Sequence, residues 1–279
     1  MLSAPYDDDA YHELRIEICS AARRALFLSL LDREKSLSDL RDEFGKSLPA
    51  LIHSLQELEK GNLVVKDARR KYALTSVGRV MARRLIDAHH AMAVFNTYKT
   101  FWLEHDFSSI PDHLLGHIGC LYGATLIEAE PSEPLSALDA FIRLLEGART
   151  LRLLISVVIN LNRTAPWELE IKDLFPTPRH LKGSNVHNIV TREVLDGLIA
   201  LIGQDRLAQA IDQGLHLRVT DEHAQLALAV TDRQTLLGLY RLNGGFDLDR
   251  MLVSDSPDGL RWGNALWAFY SKRSHVVTL

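Results

Sequence analysis

A chain of 279 residues is long for one average domain and short for three, so it divides most naturally into two, each large enough to bury its own core. With 47% hydrophobic and 24% charged residues the composition is that of a soluble protein, and no apolar run approaches the ~18 residues a membrane-spanning helix needs. A formal charge of −4 and a pI near 6.3 exclude a protein that coats nucleic acid indiscriminately, while leaving room for a local basic patch.

The start of the chain is polar and acidic and lacks the basic and apolar segments of a secretory signal, so the expected location is the cytoplasm. Cys19 and Cys120 are far apart inside apolar stretches and read as buried thiols, not as a redox pair or metal knuckle. From residue 14 to 31, Leu14, Ile18, Leu26, Phe27, Leu30 and Leu31 recur at helical spacing, and residues 32–35 close that helical segment. A short helix follows, with Ser38 as its N-cap, Leu40 and Phe44 on one face, and Gly45 for a left-handed exit. A second begins near Ser47, tolerates Pro49 in its first turn, and turns Leu48, Leu51, Leu55 and Leu58 toward a core before Gly61. Two short helices joined at a glycine form a helix-turn-helix.

Residues 63–66 and 71–74 read as two strands of a hairpin whose tip carries Lys66, Arg69, Arg70 and Lys71 against one acid, Asp67. That hairpin is a wing, and its cations suit phosphate contacts. On the second helix, Ser47, Ala50, His53, Ser54 and Glu57 lie opposite the leucines, with Lys46 at the entrance, so this face can meet base edges in a major groove. Double-stranded DNA is the expected partner. From Thr75 a long helix carries Met81, Leu85, Ala88, Met92 and Phe95 at alternating four and three spacing, the pattern of a coiled-coil seam, which predicts a homodimer unless the stripe packs on the chain itself. The first domain is therefore expected over residues 1–104 and the second over 105–279.

Residues 101–111 combine aromatics, a polar turn and a proline, and read as an elbow between domains. This run, aromatic-Trp-x-x-His-Asp-hydrophobic-Ser-x-Ile-Pro, resembles a hallmark of archaeal transcriptional regulators that carry the middle domain named for a methanogenesis regulatory protein. The resemblance extends back to the Leu-Thr-x-x-Gly step from Leu74 to Gly78 and forward to Trp262-Gly263. It implies a winged helix of the arsenical-repressor type, an α/β effector domain and DNA-binding regulation. The recognition helix departs from the family pattern, with His53 and Gln56 where lysine is expected.

Read from its residues, the second domain alternates helix and strand: a helix at 111–121, a strand at 124–129, a helix at 135–145, a strand at 151–159, a short helix at 167–175, a loop at 176–183, a strand at 186–191 and a helix at 194–202. Three strands at 215–220, 225–230 and 235–240 suit an antiparallel meander, and a helix at 262–270 closes the chain. The overall class is α+β or α/β: an N-terminal winged helix-turn-helix, a long linking helix, and an α/β domain resembling a degenerate phospholipase D-like half. His180 and Lys182 begin a His-x-Lys-x4-Asp motif, but the aspartate position is His187 and no second copy exists, so no phosphodiesterase chemistry is expected. The twelve histidines are scattered with no cysteines at ligand spacing, and neither metal nor cofactor is expected. For a small-molecule effector the candidates are Trp167, Arg192, Arg218, Tyr240 and Asp247. Three readings stay open: a ligand-responsive DNA-binding regulator, an unusual phosphodiesterase-like protein, and a metal-responsive repressor.

Overall fold

The computed structural model describes residues 20–133, 136–145, 148–157 and 186–279, and the chain divides into two compact units, Met1–Ala88 and His89–Leu279. The division falls inside a helix, sixteen positions before the expected boundary at 104/105.

In the first unit, helix α1 (Ala21–Ser29) buries Leu26 and Phe27; residues 14–19 of the expected helical stretch lie outside the described residues. Strand β1 (Lys35–Ser36) stands where the sequence suggests only a closing loop. Helix α2 (Leu37–Phe44) is capped by Ser36, not Ser38: Ser36 Oγ accepts from the Asp39 N–H at 3.2 Å and Asp39 accepts from the Ser36 N–H at 2.8 Å. The reciprocal cap needs an acceptor side chain three residues on, which Ser36 has in Asp39, whereas Ser38 meets Arg41 at that spacing. Gly45 leaves the helix at φ 59°, as its sequence position suggests.

Helix α3 (Leu48–Lys60) carries Pro49 in its first turn and buries Leu51, Leu55 and Leu58. Leu48 is not in the core; it is 39% exposed, because the first residue of a helix projects back beyond its packed turns. Strands β2 (Val64–Lys66) and β3 (Lys71–Leu74) form the antiparallel wing, and β1 pairs with the free edge of β3, giving the order β1-β3-β2. Leu26, Phe27, Leu40, Leu51, Leu55 and Tyr72 share one core. Helix α4 (Ser76–Thr97) begins at Thr75, whose hydroxyl accepts from the Gly78 N–H at 2.9 Å. A Cβ at Gly78 would collide with the Leu63 carbonyl, so only glycine lets α4 start directly over the end of α3.

The second unit contains α5 (Lys99–Glu104), β4 (His105–Asp106), α6 (Asp112–Leu115), a 3₁₀ turn at Ile118–Leu121, β5 (Thr125–Glu128), α7 (Ser136–Leu145) and β6 (Leu151–Ile155). After an interval outside the described residues come β7 (Val186–Thr191), α8 (Arg192–Ile202), α9 (Gln204–Asp212), β8 (Leu217–Thr220), β9 (Leu226–Thr231), β10 (Thr235–Arg241), β11 (Arg250–Ser254), α10 (Pro257–Lys272) and β12 (Ser274–Val276). The strands make one nine-stranded sheet, β12-β8-β7-β6-β9-β10-β11-β5, with β4 added to β10. Its β6, β7 and β8 run parallel and its other pairs are antiparallel.

Two expectations need correction here. The meander holds only for β9 and β10: β8 pairs with β7, because α8 and α9 form a crossover that returns the chain parallel to β7. The segment 101–111 is not a joint between units, since Phe101, Trp102 and Ile110 are buried in the second core, where aromatic surface is removed from water. Helix α10 lies on the sheet along Gly259 and Gly263: a Cβ at either would strike Ser254 or Thr235, and Thr235 Oγ1 donates to the Gly259 carbonyl at 3.1 Å. Trp262 beside them donates its Nε1–H to the Leu114 carbonyl at 3.0 Å, which accounts physically for the Trp-Gly pair.

Candidate nucleic-acid interface

Helix α3 presents Lys46, Ser47, Ala50 and His53 to solvent, and Arg69 and Arg70 are exposed at the wing tip. The wing turn is built by Asp67, whose backbone N–H donates to the Lys71 carbonyl at 2.8 Å and whose carboxylate accepts from the Lys71 N–H at 2.7 Å. Arg70 occupies the left-handed region at φ 64°. This closure uses backbone groups and the Asp67 carboxylate, and leaves the two guanidinium groups exposed.

Three other residues of the expected surface are engaged within the chain. Lys71 Nζ pairs with Glu34 at 3.1 Å, Ser54 Oγ donates to the Ala50 carbonyl at 3.0 Å, and Glu57 holds Lys60 at 2.7 Å, which lowers the Glu57 carboxyl below its ordinary range. Lys66 lies 5.1 Å from the centroid of the Tyr72 ring. The sequence reading missed the apolar part of the same helix, where Leu48 and Ile52 are exposed beside Ala50 and His53. Periodicity alone assigns leucine to the core, so only the helix ends could have signalled it.

The expected dimer stripe is divided. Met81 and Leu85 pack on the core of the first unit, Phe95 packs on the core of the second, and Ala88 and Met92 are exposed. Three of its five members thus spend their apolar surface within the chain, because α4 must cover a core at each end.

The effector candidates are likewise held by intrachain bonds. Arg192 Nε and Nη2 reach Asp221 at 2.9 and 2.8 Å. Arg218 binds Ser274 Oγ at 2.8 Å and the Ser274 carbonyl, fixing the turn into β12. Tyr240 donates to the Ser156 carbonyl at 2.6 Å. Trp167, His180 and Lys182 lie outside the described residues, while His187 sits on β7 opposite Arg152, and burial, aided by the Arg152 charge, holds its imidazole below the ordinary histidine range. Among the described residues no group of three or more His, Cys, Asp or Glu side chains is placed to hold a metal ion, and no helix is long and apolar enough to cross a membrane.

Asp247 is the centre of a buried network. Its carboxylate accepts from Arg241 Nη2 at 2.8 Å, the Asp249 N–H at 2.9 Å, Arg250 Nε at 2.9 Å and His105 Nε2 at 2.9 Å. His105 Nδ1 faces the Phe101 carbonyl at 2.6 Å. Both ring nitrogens of His105 thus face an oxygen, the Phe101 carbonyl on one side and the Asp247 carboxylate on the other. Arg250 Nη2 continues to Glu104 at 2.8 Å.

A glycine-ended helix pair followed by a basic antiparallel hairpin defines the first unit as a winged helix-turn-helix, the class of unit through which many regulators meet DNA. The model described as methanogenesis regulatory protein FilR1, N-terminal domain, matches residues 12–88, and the FilR1 middle-domain model matches residues 176–273. Both matches are to domains of one regulatory protein, and together they support an archaeal regulator family. Methanogenesis regulatory protein FilR1 of Methanothrix harundinacea (strain 6Ac) is 24% identical over 274 residues, covering 96% of this chain and 59% of that protein, so the chain spans about 59% of the length of this curated relative. Among solved structures, TrmBL2, an archaeal chromatin protein, is 16% identical with a TM-score of 0.39, covering 90% of this chain and 91% of its own. The methyltransferase RosA of Streptomyces davawensis is 11% identical with a TM-score of 0.25, covering 77% and 65%. Superpositions at these scores carry no argument about activity.

Proposed function

We propose that the chain is a DNA-binding transcriptional regulator that acts in the cytoplasm as a homodimer, with the second unit sensing a small molecule. The observation that carries the reading is the joint exposure of Arg69 and Arg70 with Ser47, Ala50 and His53 on one winged unit; burial of either set would have ended it. Arg69 and Arg70 contact phosphates, and α3 enters the major groove. There Leu48, Ala50 and Ile52 suit contact with thymine methyl groups, and Ser47 and His53 suit hydrogen bonds to base edges. The curated relative, a methanogenesis regulatory protein, agrees in kind with this reading. The resemblance of the second unit to a degenerate phospholipase D-like half is part of the same proposal and concerns fold, not catalysis.

Fluorescence anisotropy with a labelled duplex, taken from genomic fragments selected by the purified protein, tests the reading. Replacing Arg69 and Arg70 together by alanine weakens binding to all sequences and reduces the slope of log K against log salt by about 0.9 for each lost phosphate contact. An unchanged slope removes the wing from the interface, and no selection of DNA by the protein overturns the function. Sedimentation equilibrium tests the dimer, which a monomer at assay concentrations would refute.

A further inference from the structure

We propose that the second unit holds a binding cavity for a small, neutral, predominantly apolar molecule between α7 and the sheet. Three strands set its floor: Leu153 on β6 stands opposite Ala229 on β9, which stands opposite Leu236 on β10, and one step along Ala227 stands opposite Gly238. Ala227, Ala229 and Gly238 supply little side-chain volume. Gly238 cannot supply more, since a Cβ there would come within 2.7 Å of the Phe246 ring. Helix α7 lays Leu138 and Phe141 over this floor, and the cleft left between them has a volume of about 80 Å³ and is partly open to solvent. Protein interiors pack as tightly as organic crystals, so an apolar space several times that needed for one water is room for a small guest, and apolar cavities accept apolar guests more readily than water.

The polar end of the cleft sets the charge of that guest. Asp247 and Arg250 line it. The four donors on the Asp247 carboxylate satisfy both of its oxygens, and Arg250 is shared between Asp247 and Glu104. Arg241 and Arg250 are paired with the carboxylates Asp247, Asp249 and Glu104, so the wall offers no spare cation to an anionic guest. The cavity does not depend on DNA binding and is tested without DNA.

Toluene is the probe and benzoate its charged counterpart, each titrated against the full chain by saturation-transfer NMR. The expected result is saturable toluene binding, with benzoate weaker by about tenfold or more, and toluene binding weakened by about tenfold or more in Ala227→Leu at an unchanged or raised thermal midpoint. Toluene that fails to saturate, benzoate that matches it, or a filled variant that binds as well as the parent overturns the proposal. If Ala227→Leu does not fold, Phe141→Leu, which widens the cleft, decides. Naphthalene must then bind at least as tightly as it binds the parent, and weaker binding overturns the proposal.

Discussion

His105 and Asp247 are 142 positions apart and meet at 2.9 Å with both side chains fully buried. Each is conspicuous in the sequence, one in the aromatic segment and one ending the Asn-Gly-Gly-Phe-Asp turn, yet nothing local joins them. Their pairing follows from β4 adding to β10, a strand of two residues that no periodicity reveals. The donors around Asp247 hold its carboxyl well below the usual carboxylate range, even against burial, which opposes the charged form. A depressed folded value contributes stability that is present above the unfolded value near 3.8 and is lost as pH falls through the folded one. Asp247→Asn should therefore lower neutral-pH stability by ~3 kcal/mol, leaving two arginines short of an anion, and should flatten the acid limb of a thermal-midpoint profile. An acid limb as steep as the parent's would show that Asp247 is not the group responsible. Tyr270 gives the opposite sign: burial pushes its hydroxyl up to about 12 from 10.0 while it donates to the Ser109 carbonyl at 2.6 Å. Its stabilising share is complete below pH ~10 and declines as pH rises toward ~12, so Tyr270→Phe should lose ~1 kcal/mol at neutral pH and show a shallower alkaline decline.

At the scale of elements, the sequence marks regular structure well where one face repeats and poorly where an element is short or its neighbour is distant. The wing strands, α3 and β7 fall where apolar pattern and glycine predict them, because each buries a face whose period is its own. Strands β1, β4 and β12 are two or three residues long and owe their state to the strand they join, β3, β10 and β8 respectively. Helix α9 buries Leu207 alone and was missed for the same want of pattern. The start of α4 shows how one residue can decide an element's placement. Gly78→Ala would drive a methyl group into the Leu63 carbonyl, where backbone cannot move aside cheaply, and should destabilise the first unit by ~3 kcal/mol despite alanine's better helix propensity. Circular dichroism melting decides it: a gain in stability would mean that the contact between α4 and Leu63 is not as close as described. Ser36→Ala, by contrast, removes one reciprocal cap and should cost only ~1 kcal/mol.

For the whole molecule, the net charge of −4 says little about DNA, since the cations that matter are a few exposed side chains on one unit. The compact units divide at Ala88/His89 and the sequence suggests 104/105, because the aromatic segment at 101–111 looks like punctuation in sequence yet supplies core to the second unit. The chain passes from one unit to the next within α4, whose Met81 and Leu85 belong to the first core and whose Val94 and Phe95 belong to the second. Helix α5 follows α4 directly and ends at Glu104, which holds Arg250 on the cavity wall. A guest that shifts Arg250 therefore acts on a side chain tied to the segment just after the helix shared by both units. On that basis saturating toluene should change the affinity of the parent protein for its selected duplex, and by reciprocity the duplex should change toluene affinity by the same factor. Ala227→Leu should abolish both effects while leaving DNA affinity without toluene unaltered. Equal DNA affinity with and without toluene in the parent would separate the two units functionally, leaving the cavity as a binding site that does not report to the DNA-facing surface.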